Sequence, residues 1–140
     1  MKSPLRILTV FHDPGAGHMM LPVLEALHKT PGVHMKALAS TFLASKFEKR
    51  QIPIEILPSS LAAAAATEIV DDFKPDVILT GTSWGSNAEQ IFRNIAFEKQ
   101  TASFSVVDYW SSYAERWAGA HYPTTQCPDK IFVVDEMMKQ

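Results

Sequence analysis

The sequence is poor in cysteine and has no excess of positive charge. Cys127 is the only cysteine, so an internal disulfide is excluded, and no CxxC or histidine-spaced metal pattern surrounds it. The chain contains 13 Lys and Arg residues and 15 Asp and Glu residues, which gives a formal net charge of −2. This charge does not provide the basic surface that nucleic acid requires. The five histidines are too scattered to define a metal site. We therefore expect no nucleic-acid partner and no bound metal.

Long hydrophobic runs are also missing. The apolar run from Ile7 to Phe11 is too short for the core of a signal peptide, and no run approaches the roughly 20 apolar residues of a membrane-spanning helix. We therefore expect no transmembrane segment and a cytoplasmic protein. A chain of 140 residues that is 46% hydrophobic is nevertheless long enough to bury one core without disulfides.

Short apolar runs alternate with helical patterns along the whole chain, and this order is typical of a parallel sheet covered by helices. We predict an α/β, three-layer, doubly wound and Rossmann-like fold, whose mainly parallel six-stranded sheet has the order 3-2-1-4-5-6 with the first strand central. No linker or repeat divides residues 1–140, which indicates a single domain. The predicted strands are 5–11, 33–39, 52–58, 76–81, 101–108 and 130–135.

Apolar residues three and four positions apart predict the helices between these strands. Phe42, Leu43 and Phe47 are expected on one apolar face of the second helix. The third helix is predicted over residues 61–73, because its alanine run has a high helix propensity, with Ser59 or Ser60 as its N-cap.

Two loops of this predicted sheet are candidates for ligand binding. In a doubly wound sheet, ligands bind outside the carboxyl ends of the strands, where the winding reverses between the first and fourth strands. The loops there are "HDPGAGH" (12–18) and "GTSWGS" (81–86), each followed by a helix whose N-terminal amides favour an anion or a sugar hydroxyl. Their candidate catalytic residues are Asp13 and His18, and their candidate substrate-binding residues are Gly15, Gly17, Thr82, Ser83 and Trp84. Glu89, in the first turn of the helix after the second loop, is a further candidate that could accept a hydrogen bond from a hydroxyl, although a solvent-facing glutamate is ordinary at that position.

The first loop lacks the patterns of the common nucleotide cofactors. Gly15 and Gly17 are followed by Met20 where G-x-G-x-x-G needs a third glycine, and no lysine follows them as in a Walker sequence. We therefore expect no NAD, FAD or ATP and no other cofactor. The glycines are equally compatible with a tight strand-to-helix connection, and His18 with a capping or solvent-exposed histidine.

The stretch "DYWSSYAERW" (108–117) is the second informative feature. Asp108 ends the fifth strand on the ligand side, Trp110 offers a surface for stacking a sugar ring, and Arg116 can bind phosphate or carboxylate. Three aromatic residues of this stretch are also spaced three and four apart, which is more typical of a helix packing face. The same surface suits a subunit interface, so a homodimer is a further alternative.

The segment "GAGHMMLPVLEAL" (15–27) resembles the glycine-rich turn that opens glycosyltransferase-B fold enzymes, although His18 and Pro22 are four residues apart and not the usual three. "FKPDVILTGTSWGS" (73–86) and "CPDKIFVVDEMMK" (127–139) resemble later strands of the same N-terminal domains and of the related sugar-nucleotide epimerases. The resemblance implies the N-terminal half of a two-domain protein. It also implies a nucleotide sugar or sugar acceptor as ligand, and a C-terminal Rossmann domain or partner subunit that holds the donor.

Two functions remain open at this point. The first is the acceptor-side N-terminal domain of a glycosyltransferase or epimerase-like enzyme of surface polysaccharide synthesis, with Asp13, His18 and Asp108 as base or binding candidates. The second is a non-catalytic Rossmann-like module for binding or subunit assembly.

Overall fold

Six parallel strands form one sheet in the order β3-β2-β1-β4-β5-β6 in the computed structural model, which describes residues 2–83, 86–108 and 127–133. The predicted α/β class, strand order and central position of β1 are thereby confirmed. The strands are β1 Leu5–Phe11, β2 Val33–Ala39, β3 Ile54–Ile56, β4 Val77–Thr80, β5 Ala102–Val107 and β6 Lys130–Val133. The described helices are α1 Pro14–Lys29, α2 Thr41–Lys49, α3 Ala63–Phe73 and α4 Ala88–Glu98.

The helices cover both faces of the sheet. Alternate side chains of β1 point to opposite faces, as the pleat of a strand requires. Ile7 and Phe11 pack with the buried side chains of α1 and α2, whereas Leu8 and Val10 pack with those of α3 and α4. The last five residues of β1 are all buried, which explains why its sequence is a nearly continuous apolar run.

The first helix begins earlier than the glycine-rich loop predicts. Pro14 occupies the first turn of α1, where a missing N–H costs nothing, and Asp13 is the N-cap residue. Gly15, Gly17 and His18 therefore belong to the helix, and the connection from β1 consists of His12 and Asp13 alone. The prediction of a seven-residue binding loop was wrong in this respect.

Two further local predictions were wrong. The third helix begins at Ala63, and neither serine caps it, because Leu57 and Leu61 both enter the core and leave Ser59 and Ser60 in the connection between them. Phe42 is 67% exposed, although Leu43 beside it is fully buried. The apolar face of α2 is thus narrower than its sequence pattern indicates.

Arg6 binds neighbouring parts of the chain near the amino ends of the strands, opposite the edge where ligands are expected. The backbone N–H of Arg6 donates to Asp76 Oδ2 at 2.8 Å, and its Nε donates to the carbonyl of Phe73 at 2.6 Å. The guanidinium also lies 4.5 Å from the centre of the Phe73 ring. None of the helices in the described ranges is long and apolar enough to cross a membrane.

Candidate functional site at the carboxyl edge of the sheet

The carboxyl ends of β1, β4 and β5 lie side by side, because the three strands are parallel neighbours. The chain leaves β1 for α1 on one face of the sheet and leaves β4 for α4 on the other face. In doubly wound sheets, ligands bind in the crevice at the point where the winding reverses in this way. The residues that directly follow these strand ends therefore form the candidate site.

Both the backbone N–H and the backbone carbonyl of His12, the first residue after β1, are hydrogen-bonded to side chains from other parts of the chain. Its N–H donates to Glu89 Oε1 at 2.8 Å, and its carbonyl accepts the hydroxyl hydrogen of Ser40 at an O–O distance of 2.6 Å. Its ring Nδ1 lies 3.0 Å from Oδ1 of Asp13. The side chains of this pair are 23% and 42% exposed, so both can be reached from the crevice. A histidine whose Nδ1 is fixed by a carboxylate presents Nε2 for proton transfer.

The N-terminus of α1 faces a carboxylate from another strand. The first turn of α1 contains no acidic residue of its own. The side chain of Asp108, which follows β5, lies so close to Gly15 that any Cβ there would collide with Oδ2 of Asp108. Because the N-terminus of a helix carries partial positive charge, this placement of Asp108 is electrostatically favourable. Gly15 is the residue that allows it.

Glu89, in the first turn of α4, is fully buried beneath the two loops. Its Oε1 accepts the N–H of His12, and its Oε2 accepts the N–H of Ser83 at 3.1 Å. The pKa of Glu89 is raised to about 7, chiefly by burial and to a smaller extent by the charge of Asp13, although the charge of Arg93 and the two amides act to lower it. Both carboxylate oxygens are used by the protein backbone. That Glu89 accepts a hydrogen bond from a substrate hydroxyl stays a prediction.

A layer of polar side chains continues below Glu89, between α4 and the sheet. Arg93 is 1% exposed, and its Nη1 donates to the carbonyl of Gly81 at 3.0 Å and contacts the Thr80 hydroxyl at 3.4 Å. The hydroxyls of Thr80 and Ser105 are 2.8 Å apart. Burial lowers the pKa of Arg93, while the nearby charge of Glu89 raises it. These buried hydrogen bonds join α4 to the ends of β4 and β5 beneath the candidate site.

Thr82 and Ser83, predicted to bind substrate, both follow β4 and are buried. The Thr82 hydroxyl donates to the carbonyl of Val106 at 3.0 Å, which ties the loop to β5. The Ser83 amide is bound to Glu89, and its hydroxyl makes no hydrogen bond within the part of the chain that the structure describes. Their contact with a substrate stays a prediction.

Gly17 and His18 lie apart from this cluster. A Cβ at residue 17 would collide with the buried side chain of Leu43, so Gly17 permits close packing of α1 against α2. A contact of Gly17 with a substrate stays a prediction. His18 is exposed on α1, and its Nδ1 lies 3.2 Å from Nζ of Lys46. The remaining candidates, Trp84, Trp110 and Arg116, lie outside the described residues.

The sequence patterns missed the anchoring of His12. Its backbone partners are Ser40, the N-cap residue of α2, and Glu89 of α4, so no local spacing indicates them. The sequence pair "HD" at a strand end is a signal for the ring contact alone. Within ranges 2–83, 86–108 and 127–133, no group of three or more His, Cys, Asp and Glu residues is placed to hold a metal ion.

No family model matches the chain, and no curated protein matches it significantly. Solved structures do match its fold. A UDP-N-acetylglucosamine 2-epimerase is 18% identical at a TM-score of 0.59, over 74% of this chain and 32% of the epimerase chain. SsfS6, a glycosyltransferase of Streptomyces sp. SF2575, is 14% identical at a TM-score of 0.64, over 97% of this chain and 52% of its own.

MurG of Acinetobacter baumannii is 13% identical at a TM-score of 0.61, over 94% of this chain and 46% of its own. The chain has a Rossmann-like fold similar to that of domains in these epimerase and glycosyltransferase structures. At identities below 20%, the structural similarity establishes the fold and not the activity. The chain spans about a third to about a half of the length of these three structures.

Proposed function

We propose that this chain is the acceptor-side, N-terminal domain of a glycosyltransferase or sugar-nucleotide epimerase-like enzyme of surface polysaccharide synthesis. Its ligand would lie in the crevice outside the ends of β1 and β4. A second Rossmann domain, in the same polypeptide or in a partner subunit, would hold the nucleotide of the donor. The fraction of each neighbour that the chain spans agrees with a two-domain arrangement.

The observation that carries this proposal is the His12–Asp13 pair at the reversal of the winding. The ring of His12 is 23% exposed and lies 3.0 Å from the Asp13 carboxylate, while its backbone is bound from two other elements. A connection that served only to turn the chain would not require an oriented titratable pair. General bases in enzymes have this arrangement.

The charges of this edge favour the acceptor over the donor as its ligand. Asp13 and Asp108 lie at the connection from β1 and at the first turn of α1. Two carboxylates repel a diphosphate, whereas they accept hydrogen bonds from the hydroxyls of a sugar. In a transfer reaction, we assign His12 as the base that accepts the proton of the acceptor hydroxyl. Asp13 orients His12, and Asp108 binds the sugar.

The proposal is tested on the protein that the complete gene encodes. Release of UDP from a panel of UDP-sugars is measured with and without sugar acceptors, for the wild type and for His12→Gln and Asp108→Asn. We expect turnover in the wild type and a loss of on the order of 100-fold or more in His12→Gln, since a general base contributes about 10²–10⁴-fold. His28→Gln is the control, because His28 is exposed in the last turn of α1, remote from the site.

Absence of both turnover and binding for every UDP-sugar would contradict the proposal. The alternative, a non-catalytic assembly module, then predicts a dimer in analytical ultracentrifugation that Trp110→Ala dissociates. The two functions thus differ in a measurement that does not depend on the choice of substrate.

A further inference from the structure

We propose that Glu89 is a positioning residue that clamps together the two loops of the candidate site. The inference rests on the proposed function only for what the loops bind. The clamp itself joins the loop after β1 to the loop after β4, at the one place where the winding of the sheet reverses.

Each oxygen of the Glu89 carboxylate binds a different loop. Oε1 accepts the N–H of His12 at 2.8 Å, and Oε2 accepts the N–H of Ser83 at 3.1 Å. The two strands stay paired up to Val10 and Thr80, and one more backbone bond, from Gly81 N–H to the Val10 carbonyl, follows. Beyond that bond the strand ladder stops. The carboxylate therefore continues the connection between the two chains into the site.

The end of β4 leaves room for this carboxylate. A Cβ at Gly81 would lie 2.6 Å from Oε2 and 3.2 Å from Oε1 of Glu89, so a side chain at residue 81 would displace the clamp. Glu89 is 0% exposed, and water does not compete for its two bonds. Because a buried carboxylate without partners is very costly, the two loop amides and the carboxylate require one another.

The clamp is sensitive to protonation, because a neutral carboxyl group carries a hydrogen on one oxygen and then faces one of the amides with a donor. The charged and titratable groups around Glu89 are Asp13 and His12 from the connection before α1 and Arg93 from α4, with Cys127 beyond Arg93. Since the pKa of Glu89 is about 7, its side chain changes between the carboxylate, which accepts both amides, and the neutral carboxyl group near neutral pH.

The test is a pH titration of ¹⁵N-labelled protein by NMR between about pH 5.5 and 8.5. We expect the amide resonances of His12 and Ser83 to shift with one shared midpoint near pH 7, because one carboxylate binds both. The Ser103 amide is the control, since it donates to a different carboxylate, Asp129 Oδ2, at 2.8 Å. It should not share that midpoint.

Two variants remove the clamp by different routes. Glu89→Gln cannot titrate and offers one acceptor oxygen, so the shared midpoint should disappear from both amides. Gly81→Ala leaves Glu89 intact but places a methyl group against its carboxylate. A hydrogen bond to a carboxylate moves an amide proton resonance downfield, so the resonances of both amides should move upfield in this variant. If a variant does not fold, the titration of the wild type still decides the question.

Separate midpoints for His12 and Ser83 in the wild type, or an unchanged shared midpoint in Glu89→Gln, would overturn the clamp. In an active preparation, Glu89→Gln should also lower kcat by about 10-fold or more while KM changes less, because general acid–base groups need exact placement. A shared midpoint in the wild type that disappears in Glu89→Gln, together with the absence of any wild-type turnover, would refute the proposed function and leave the clamp standing.

Discussion

The stability of this protein should decrease as the pH rises towards neutrality, and Glu89 is the reason. Burial raises the pKa of Glu89 from the ordinary value of 4.5 to about 7 in the folded protein. Between these two pH values the folded state keeps the proton and the unfolded state releases it. The folded state thus binds more protons than the unfolded state, so the free energy of unfolding falls as pH rises through this window.

The size of the effect follows from the size of the shift. At 1.36 kcal/mol per pKa unit, a change from 4.5 to about 7 corresponds to about 3 kcal/mol of stability that is present below pH 4.5 and lost above pH 7. This is a large fraction of the roughly 5–15 kcal/mol that stabilises an ordinary domain.

Urea unfolding followed by circular dichroism at pH 5 and pH 8 measures this loss. Other residues titrate in the same interval, so the relevant quantity is the difference between the wild type and Glu89→Gln. We expect the wild type to lose on the order of 2–3 kcal/mol more than the variant between the two pH values.

Glu25→Gln provides a control of opposite sign. Glu25 accepts hydrogen bonds from Lys29 and Arg50, and these lower its pKa on the exposed side of α1. Its contribution is therefore present above its ordinary pKa and is lost as pH falls through the lowered value, outside the window of Glu89. Equal pH dependence in the wild type and Glu89→Gln would refute the reasoning, because it would mean that the buried carboxylate does not take up a proton on folding.

Three further predictions concern the packing of the helices. Gly17→Val should lower stability by about 1–3 kcal/mol in thermal melts, because its side chain would enter the space of Leu43. Leu24→Ala should cost about 2–5 kcal/mol in urea unfolding, as Leu24 is fully buried, whereas Val23→Ala on the exposed side of the same helix should change stability by less than about 1 kcal/mol. Phe42→Ser should leave the midpoint of thermal unfolding within a few degrees of the wild type, since Phe42 is 67% exposed; a large decrease would show that the residue is covered in solution.

The fold could be predicted because its main signals are local. The continuous apolar runs of β1 and β4 indicate strands buried on both faces, and their alternation with helical patterns leaves few topologies once right-handed crossovers are required. The boundaries were less accurate where tertiary packing decides them. Leu61 delays the start of α3 because it enters the core, and a serine close to a helix start does not reveal this.

The arrangement of the site was less accessible from the sequence than its location. The rule for doubly wound sheets correctly indicates which loops meet, but it does not indicate which side chains reach across. Glu89 in the first turn of a helix has the pattern of a solvent-facing acid at the positive end of the dipole. One signal does point inward: Glu89 shares a helical face with Phe92, Arg93 and Ala96, all of which are buried.

The hydrogen bonds that fix the position of His12 do not involve its imidazole ring. Glu89 and Ser40 bind the N–H and the carbonyl of residue 12, which every residue except proline possesses, and not its ring. Any side chain at residue 12 would therefore stand at the same point of the crevice, while Asp13 is the one described residue that binds the imidazole. The fold can thus be kept while the group presented to the ligand changes. For this reason, substitutions at residue 12 distinguish the function of the crevice from the stability of the domain better than substitutions at Glu89.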